Sequence, residues 1–287
     1  MGAISAIAYL AALCTALAAV LAIAQRKLYV WEDPRIDDVE GMLPGANCGA
    51  CGLPGCHAFA ESVVDGNIQP GKCPVGGAGM AESVASFLGI DAGSEERKIA
   101  RLLCAGGSDV ADQFAEYEGY ESCRAAATIA GGSKGCTYGC LGLADCEVSC
   151  TFGAIRMADN GLPVVDFSLC TGCGDCVTAC PKHLFELLPA RRKLLVQCKS
   201  LLEGDGALEM CRVACTGCSI CVSDAPKGLM QMQYTLPIIS DEKSDLETSI
   251  ATLRCPTGAI EWVEEQQFPI LHEQVYGPIE KGEVLEQ

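Results

Sequence analysis

The sequence predicts an α+β protein: one N-terminal transmembrane helix, then small units of short strands and short helices wrapped around metal-binding loops. Three observations carry this. Residues Ala3 to Ala24 form an apolar run without a charge, long enough to cross the hydrocarbon core of a bilayer as a helix. The 287 residues include 21 cysteines, most of them in C-x2-C and C-x3-C steps. In the second half of the chain those steps alternate with short apolar segments and turn signals such as Asp159-Asn160-Gly161, a pattern of short strands and tight turns.

The first element is the anchor, residues 1–28. Ala22-Ile23-Ala24 resembles a signal-peptidase site, but no Lys or Arg precedes the apolar run as a cleaved leader requires. Arg26 and Lys27 follow the run directly. The positive-inside rule then gives a single-pass protein of the inner or plasma membrane, with its cluster domains on the cytoplasmic side. That compartment is reducing, which favours metal sites over disulfides. The odd cysteine total and the tight steps favour them too, because such steps cannot staple distant loops. A formal charge of −17 excludes a nucleic-acid partner, which needs a basic surface, and 49% hydrophobic residues exclude wholesale disorder.

Residues 29–92 form a Gly- and Cys-rich module carrying Cys48-x2-Cys51-x4-Cys56-x16-Cys73-Pro74. By spacing alone these four thiolates suit either one iron–sulfur cluster or zinc, which tolerates varied loop lengths. A charged connector, residues 93–130, follows. Residues 131–190 hold two four-cysteine runs. Cys170-x2-Cys173-x2-Cys176-x3-Cys180-Pro181 has the spacing of a bacterial two-cluster ferredoxin, and Cys136-x3-Cys140-x5-Cys146-x3-Cys150 is its looser partner. In such bacterial-ferredoxin-like (βαβ)2 domains the last cysteine of each run ligates the other cluster. Crossing the fourth ligands gives one [4Fe-4S] cluster on Cys136, Cys140, Cys146 and Cys180, and a second on Cys150, Cys170, Cys173 and Cys176.

Residues 191–262 read as a degenerate copy. Cys215-x2-Cys218-x2-Cys221 is followed by Ala225-Pro226 where Cys-Pro is expected, and the second three-cysteine run is missing. Much later comes Cys255-Pro256. Losing that run and that fourth cysteine removes all four ligands of one cluster and leaves Cys215, Cys218, Cys221 and Cys255 for the other, a zinc site or an empty relic being the alternatives. Residues 263–287 read as an extended, exposed acidic tail.

Five cysteines remain. Cys14 lies in the span, where packing accounts for it. Cys104 and Cys198 each follow an apolar stretch, while Cys123 and Cys211 stand in the related segments Glu121-Ser122-Cys123-Arg124-Ala125-Ala126 and Glu209-Met210-Cys211-Arg212-Val213-Ala214. This points to duplication of a connector plus ferredoxin unit. The two pairs are either buried structural thiols or, if the copies face each other, an additional metal site. His57, His183 and His272 show no paired-ligand spacing and are assigned to surface or local hydrogen bonding. No phosphate-binding loop appears, so nothing in the sequence points to a nucleotide site of its own or to turnover by this chain alone.

From Gly41-Met42-Leu43-Pro44-Gly45-Ala46-Asn47-Cys48-Gly49-Ala50-Cys51-Gly52 to Cys73-Pro74, the chain resembles the B-type subunit of the Rnf complex, the ion-translocating ferredoxin:NAD oxidoreductase, also called the electron transport complex. The likeness continues through Cys136-Thr137-Tyr138-Gly139-Cys140-Leu141-Gly142-Leu143-Ala144-Asp145-Cys146 and through Cys170 to Lys182. The resemblance implies a [4Fe-4S] cluster rather than zinc at Cys48, Cys51, Cys56 and Cys73, for about four clusters in all. It also implies that electrons come from soluble ferredoxin and pass to other membrane subunits that carry flavin and NAD sites. A membrane-anchored polyferredoxin serving another reductase without ion pumping is the alternative; a zinc-stabilised scaffold is a third. Arg191, Arg192 and Lys193, the only three consecutive basic residues, are the candidate docking patch for an acidic ferredoxin.

Overall fold

The computed structural model describes residues 2–28, 32–94 and 96–277. Helix α1 (Gly2–Leu28) carries Arg26 and Lys27 in its last turn. Its segment Ile7–Leu28 has a mean hydropathy of 2.4 and packs against nothing, leaving Leu10, Leu13, Leu17, Val20 and Leu21 exposed. A helix apolar all round is matched to lipid rather than water. The Thr15 hydroxyl donates back to the carbonyls of Ala11 and Ala12, so this polar group needs no outside partner.

The next unit contains α2 (Arg35–Met42), α3 (Cys56–Val64) and α4 (Gly77–Leu88). Their apolar residues fall at three- and four-residue intervals, so Ile36, Val39 and Leu43 meet Phe59, Ala60, Val63 and Val84 in a small core. The core supports the loop Leu43–Gly55, where the Asn47 Oδ1 accepts from the Cys56 amide at 2.7 Å and so caps the start of α3.

Two (βαβ)2 units follow. The first contains β1 (Lys98–Leu102), α5 (Cys123–Ala127), α6 (Asp145–Val148), β2 (Ile155–Met157), β3 (Pro163–Val165), α7 (Asp175–Ala179) and β4 (Phe185–Pro189). Strand β1 pairs antiparallel with β4, with Ile99 opposite Leu188 and Leu102 opposite Phe185. Strands β2 and β3 form a hairpin through Gly161. Strand β1 lies in the segment expected to be a connector. Its charged look misleads, because Arg101 is only 3% exposed and the strand is buried on both faces after Lys98.

The second unit repeats the order with β5 (Leu194–Val196), α8 (Gly204–Met210), α9 (Ile220–Asp224), β6 (Met230–Gln233), β7 (Leu236–Ile239) and β8 (Ile260–Trp262). Its outer strands β5 and β8 pair antiparallel, and its inner strands form the hairpin. Where the first unit has α7, this one has 3-10 turns at Asp241–Leu246 and Ser249–Thr252. These replace the segment whose cysteine run is missing.

Residues 263–277 correct the expectation of an exposed tail. They return to the first unit and end in α10 (Pro269–Tyr276), packed on β3. The buried Gln267 donates to the Leu102 carbonyl at 2.8 Å and accepts from the Leu102 amide at 3.1 Å. Gln266 bridges the Val165 carbonyl and the Phe167 amide. His272 is likewise buried, not superficial, with Nε2 at 2.8 Å from Asp166 Oδ2. Residues 278–287 lie outside the described residues.

Candidate metal centres

The loops and short helices around α3, α6, α7 and α9 place cysteines against apolar cores, and four groups of them are legible. Cys150, Cys170, Cys173 and Cys176 line one pocket between the loop before α7 and the end of α6. These are the residues expected from crossing the fourth ligands. Cys215, Cys218, Cys221 and Cys255 line another, walled by Val196, Pro237 and Ile260. In the N-terminal unit Cys51, Cys56 and Cys73 share the small core. Cys48 opens toward the first ferredoxin-like unit, where Cys48, Gly49 and Ala50 face Cys173, Gly174 and Asp175 across one cavity.

The fourth group differs from the sequence expectation. Cys140, Cys146 and Cys180 pack in the core of the first unit, and Cys123, at the start of α5, is tied to the same place: its neighbours Ser122 and Arg124 donate, through the hydroxyl and the amide, to Asp145 Oδ2 at 3.0 Å each, next to Cys146. Cys136 stands elsewhere. It lines a pocket between the two units, together with Cys104, Cys198 and Cys211.

The spacing of the sulfurs discriminates between kinds of metal centre. Four thiolates around one zinc ion, at about 2.3 Å each, stand roughly 3.8 Å from one another. Among the described residues, the group of three or more ligand atoms lying within 4.8 Å of one another is Asp37, Glu40 and His57, with no cysteine in it. The cysteine groups are wider and surround cavities, as a cube of four irons and four sulfides requires. An unpartnered polar atom fits the same reading: the buried Thr171 hydroxyl, on the wall of the Cys170 cavity, has no hydrogen-bond partner among the described residues, and a cluster sulfide is an acceptor for it.

Electrostatics around the thiols follow from burial and from the backbone. Burial pushes the Cys140 and Cys176 thiols up to about 12 and those of Cys198 and Cys221 to about 11. Metal coordination deprotonates such thiols outright. At Cys255 burial acts in the same direction, but the amides of Ile260, Thr257 and Ala259 and the Thr257 hydroxyl outweigh it and hold the thiol below its ordinary range. The Ala100 amide donates to Cys170 Sγ and the Leu184 amide to Cys180 Sγ, each at 3.5 Å. Amide donors to sulfur favour the more negative state of a cluster.

Two buried cations stand beside these groups. Arg101 is within electrostatic reach of Cys170, and burial lowers its guanidinium to about 10. Lys134, on the wall of the cavity between the units, is 8% exposed and donates to the carbonyls of Gly106 and Cys140. Neither has a carboxylate partner among the described residues. The expected docking patch is different: Arg191 pairs with Glu96 and Asp245, and Arg192 is buried against Asp241 and Glu247. Lys193 lies over the Trp262 ring. Arg191 is thus neutralised by surface ion pairs and Arg192 by a buried one, so the three residues do not form a free basic surface.

Comparison with known proteins agrees with this chemistry. A family model described as an Fe-S cluster matches residues 43–75, and one described as a 4Fe-4S binding domain matches residues 163–184. The chain is 47% identical over 194 residues to the B-type subunit of the Na(+)-translocating ferredoxin:NAD(+) oxidoreductase complex of Acetobacterium woodii, an alignment covering 68% of this chain and 58% of that protein. It is 38% identical over 258 residues to the B-type subunit of the ion-translocating oxidoreductase complex of Methanosarcina acetivorans, covering 90% of this chain and 97% of that one. It is also 40% identical over 244 residues to the corresponding subunit of the proton-translocating ferredoxin:NAD(+) oxidoreductase complex of Clostridium ljungdahlii, covering 84% and 86%.

Proposed function

The chain belongs to the family of B-type subunits of ion-translocating oxidoreductase complexes, as an iron–sulfur electron-transfer subunit, and from that premise we propose that it takes electrons from reduced soluble ferredoxin and delivers them to membrane subunits that hold flavin and NAD. The ligand sets in this reading are Cys48, Cys51, Cys56 and Cys73; Cys150, Cys170, Cys173 and Cys176; Cys215, Cys218, Cys221 and Cys255; and Cys140, Cys146 and Cys180 with a fourth thiolate. A bound [4Fe-4S] cluster supplies a centre that gains or loses one electron without bond rearrangement elsewhere. The chain's own part is to hold the thiolates, exclude water with apolar walls, and set the charge environment through Arg101, Lys134 and the amide donors.

The observation that carries the proposal is the juxtaposition of the sites. The Cys48 loop shares a cavity with Cys173, and Cys48 is only 20 residues beyond the end of α1. At the far end of the chain of sites, Cys218 is exposed. Electrons therefore enter at the Cys218 end and leave at the Cys48 end, where the anchor holds the protein against its membrane partners. Arg26 and Lys27, in the last turn of α1, support a cytoplasmic position for the assembly by the positive-inside rule.

The test uses the full chain in detergent, purified without oxygen. Reduced ferredoxin should bleach its visible absorption within the mixing experiment, and tagged chain isolated from membranes should bring flavin-containing subunits with it. A chain that ferredoxin does not reduce, and that leaves the membrane without flavin subunits, overturns the proposal.

A further inference from the structure

Outside the membrane span the chain has 20 cysteines, the 21 of the sequence less Cys14. Four per cluster makes five sets, one more than the four expected from spacing. We propose that Cys104, Cys136, Cys198 and Cys211 hold a fifth [4Fe-4S] cluster between the two ferredoxin-like units, and that Cys123 takes the place of Cys136 beside Cys140, Cys146 and Cys180. The inference rests on the reading of the other groups as cluster sites.

The geometry comes from the duplicated fold. Cys104 and Cys198 each lie two residues beyond a strand, β1 in one unit and β5 in the other, so equivalent turns bring them to one cavity from opposite sides. Cys211 follows α8, and Cys136 comes from the loop before Cys140. The pocket is comparable in size to those at Cys170 and Cys215. Its wall is cut back for sulfur: a Cβ on Gly106 would stand 3.0 Å from Cys211 Sγ and 3.7 Å from Cys104 Sγ.

Lys134 is the independent pointer to the ligand's charge. A buried ammonium needs a counter-charge, and this one has only two carbonyl oxygens as hydrogen-bond acceptors while it faces four thiols. A cluster on four thiolates is an anion, and the sulfurs stand too far apart for a single zinc ion. The site also has a place in the line. Ala214 on the wall adjoins Cys215 on one side, and Cys104 and Cys140 pack in the same core on the other. A cluster here joins the Cys215 site to the Cys140 site.

The experiment counts iron and acid-labile sulfide in the full chain, reconstituted in detergent with ferrous iron and sulfide under nitrogen. The parent is expected to hold about 20 of each per chain. Cys198→Ser should hold about 16, and the combination of Cys136→Ser with Cys198→Ser should still hold about 16, because both residues serve one cluster. Cys123→Ser combined with Cys198→Ser should fall to about 12. Gly106→Val, which fills the cavity and removes no sulfur, should lose the same cluster as Cys198→Ser by low-temperature EPR, and guards against loss through misfolding of a cysteine variant. A parent at about 16 with Cys198→Ser unchanged, or a parent at about 16 with one zinc per chain, overturns the fifth cluster. Additive loss for Cys136→Ser and Cys198→Ser overturns the exchange of Cys123 for Cys136. A parent that takes up no iron overturns the cluster reading of all the sites, not this site alone.

Discussion

Removing the charge of Arg101 should lower the reduction midpoint of the cluster proposed at Cys150, Cys170, Cys173 and Cys176. One-electron reduction adds negative charge, and a buried cation nearby stabilises the reduced form. Burial brings the guanidinium to about 10, so it stays charged at neutral pH. Its Nη1 donates to the Glu265 carbonyl at 2.9 Å, and no carboxylate among the described residues pairs with it. Its neighbour Ala100 donates an amide to Cys170 Sγ at 3.5 Å, which puts Arg101 next to the site. Taking a charge-to-cluster separation of about 8 Å and an effective dielectric of about 20, the interaction is worth about 2 kcal/mol. For one electron that corresponds to about 90 mV. EPR-monitored redox titration of Arg101→Gln and Arg101→Lys measures it. Arg101→Gln should fall by about 90 mV and Arg101→Lys by much less, since it keeps the charge. An Arg101→Gln midpoint at or above the parent's refutes the electrostatic reasoning; equal falls for both variants assign the effect to packing.

Three other outcomes follow from particular contacts. Arg192→Met leaves Glu247 buried without its cation, now 3.2 Å away, and should cost the second ferredoxin-like unit about 3 kcal/mol in chemical denaturation, with part recovered on adding Glu247→Gln. Because Arg191 is already paired with Glu96 and Asp245, Arg191→Glu should leave the rate of reduction by ferredoxin unchanged at low ionic strength, in rapid mixing. Gly172 sits at φ +72° with the Lys98 carbonyl where a Cβ would stand, so Gly172→Ala strains the Cys170–Cys176 loop and should lower the iron content by about four atoms per chain.

What could be read from the sequence was what the chemistry fixes locally. A C-x2-C-x2-C-x3-C-P run must wrap a cubane, and the crossed partners Cys150 and Cys170 to Cys176 meet in one cavity. The apolar run of α1 could also be read, because length and hydropathy alone decide it. Strand β1 was hidden because Arg101 is buried as a counter-charge, so its polarity looked like exposure. The return of residues 263–277 was hidden for a related reason: Gln266, Gln267 and His272 are held by side-chain hydrogen bonds to β1, β3 and Asp166, not by an apolar pattern. In the assignment proposed above Cys136 serves the pocket shared with the neighbouring unit, although its spacing to Cys140 has the form of a cluster loop. The signal that points there was present: repeat-related cysteines two residues after each outer strand, and a total of 20 beyond the span.

The second ferredoxin-like unit shows why such a bridge matters to a relay. With 3-10 turns in place of a second helix, that unit has one four-cysteine group among the described residues, so the cluster proposed at Cys215 lacks the near neighbour that the crossed ligands of a two-cluster unit provide. Alone it is a terminus. A site at Cys104, Cys136, Cys198 and Cys211 restores a neighbour, contributed jointly by both units. The line then runs from the exposed Cys218 through the bridge to Cys140, from Cys146 to Cys176, and from Cys173 to Cys48. If the bridge carries the current, Cys198→Ser should leave the Cys215 cluster reducible by ferredoxin in rapid mixing while the clusters of the first unit lag behind it. Simultaneous reduction of both units in that variant would instead mean that ferredoxin docks on the first unit, and that the second is a branch and not the entrance.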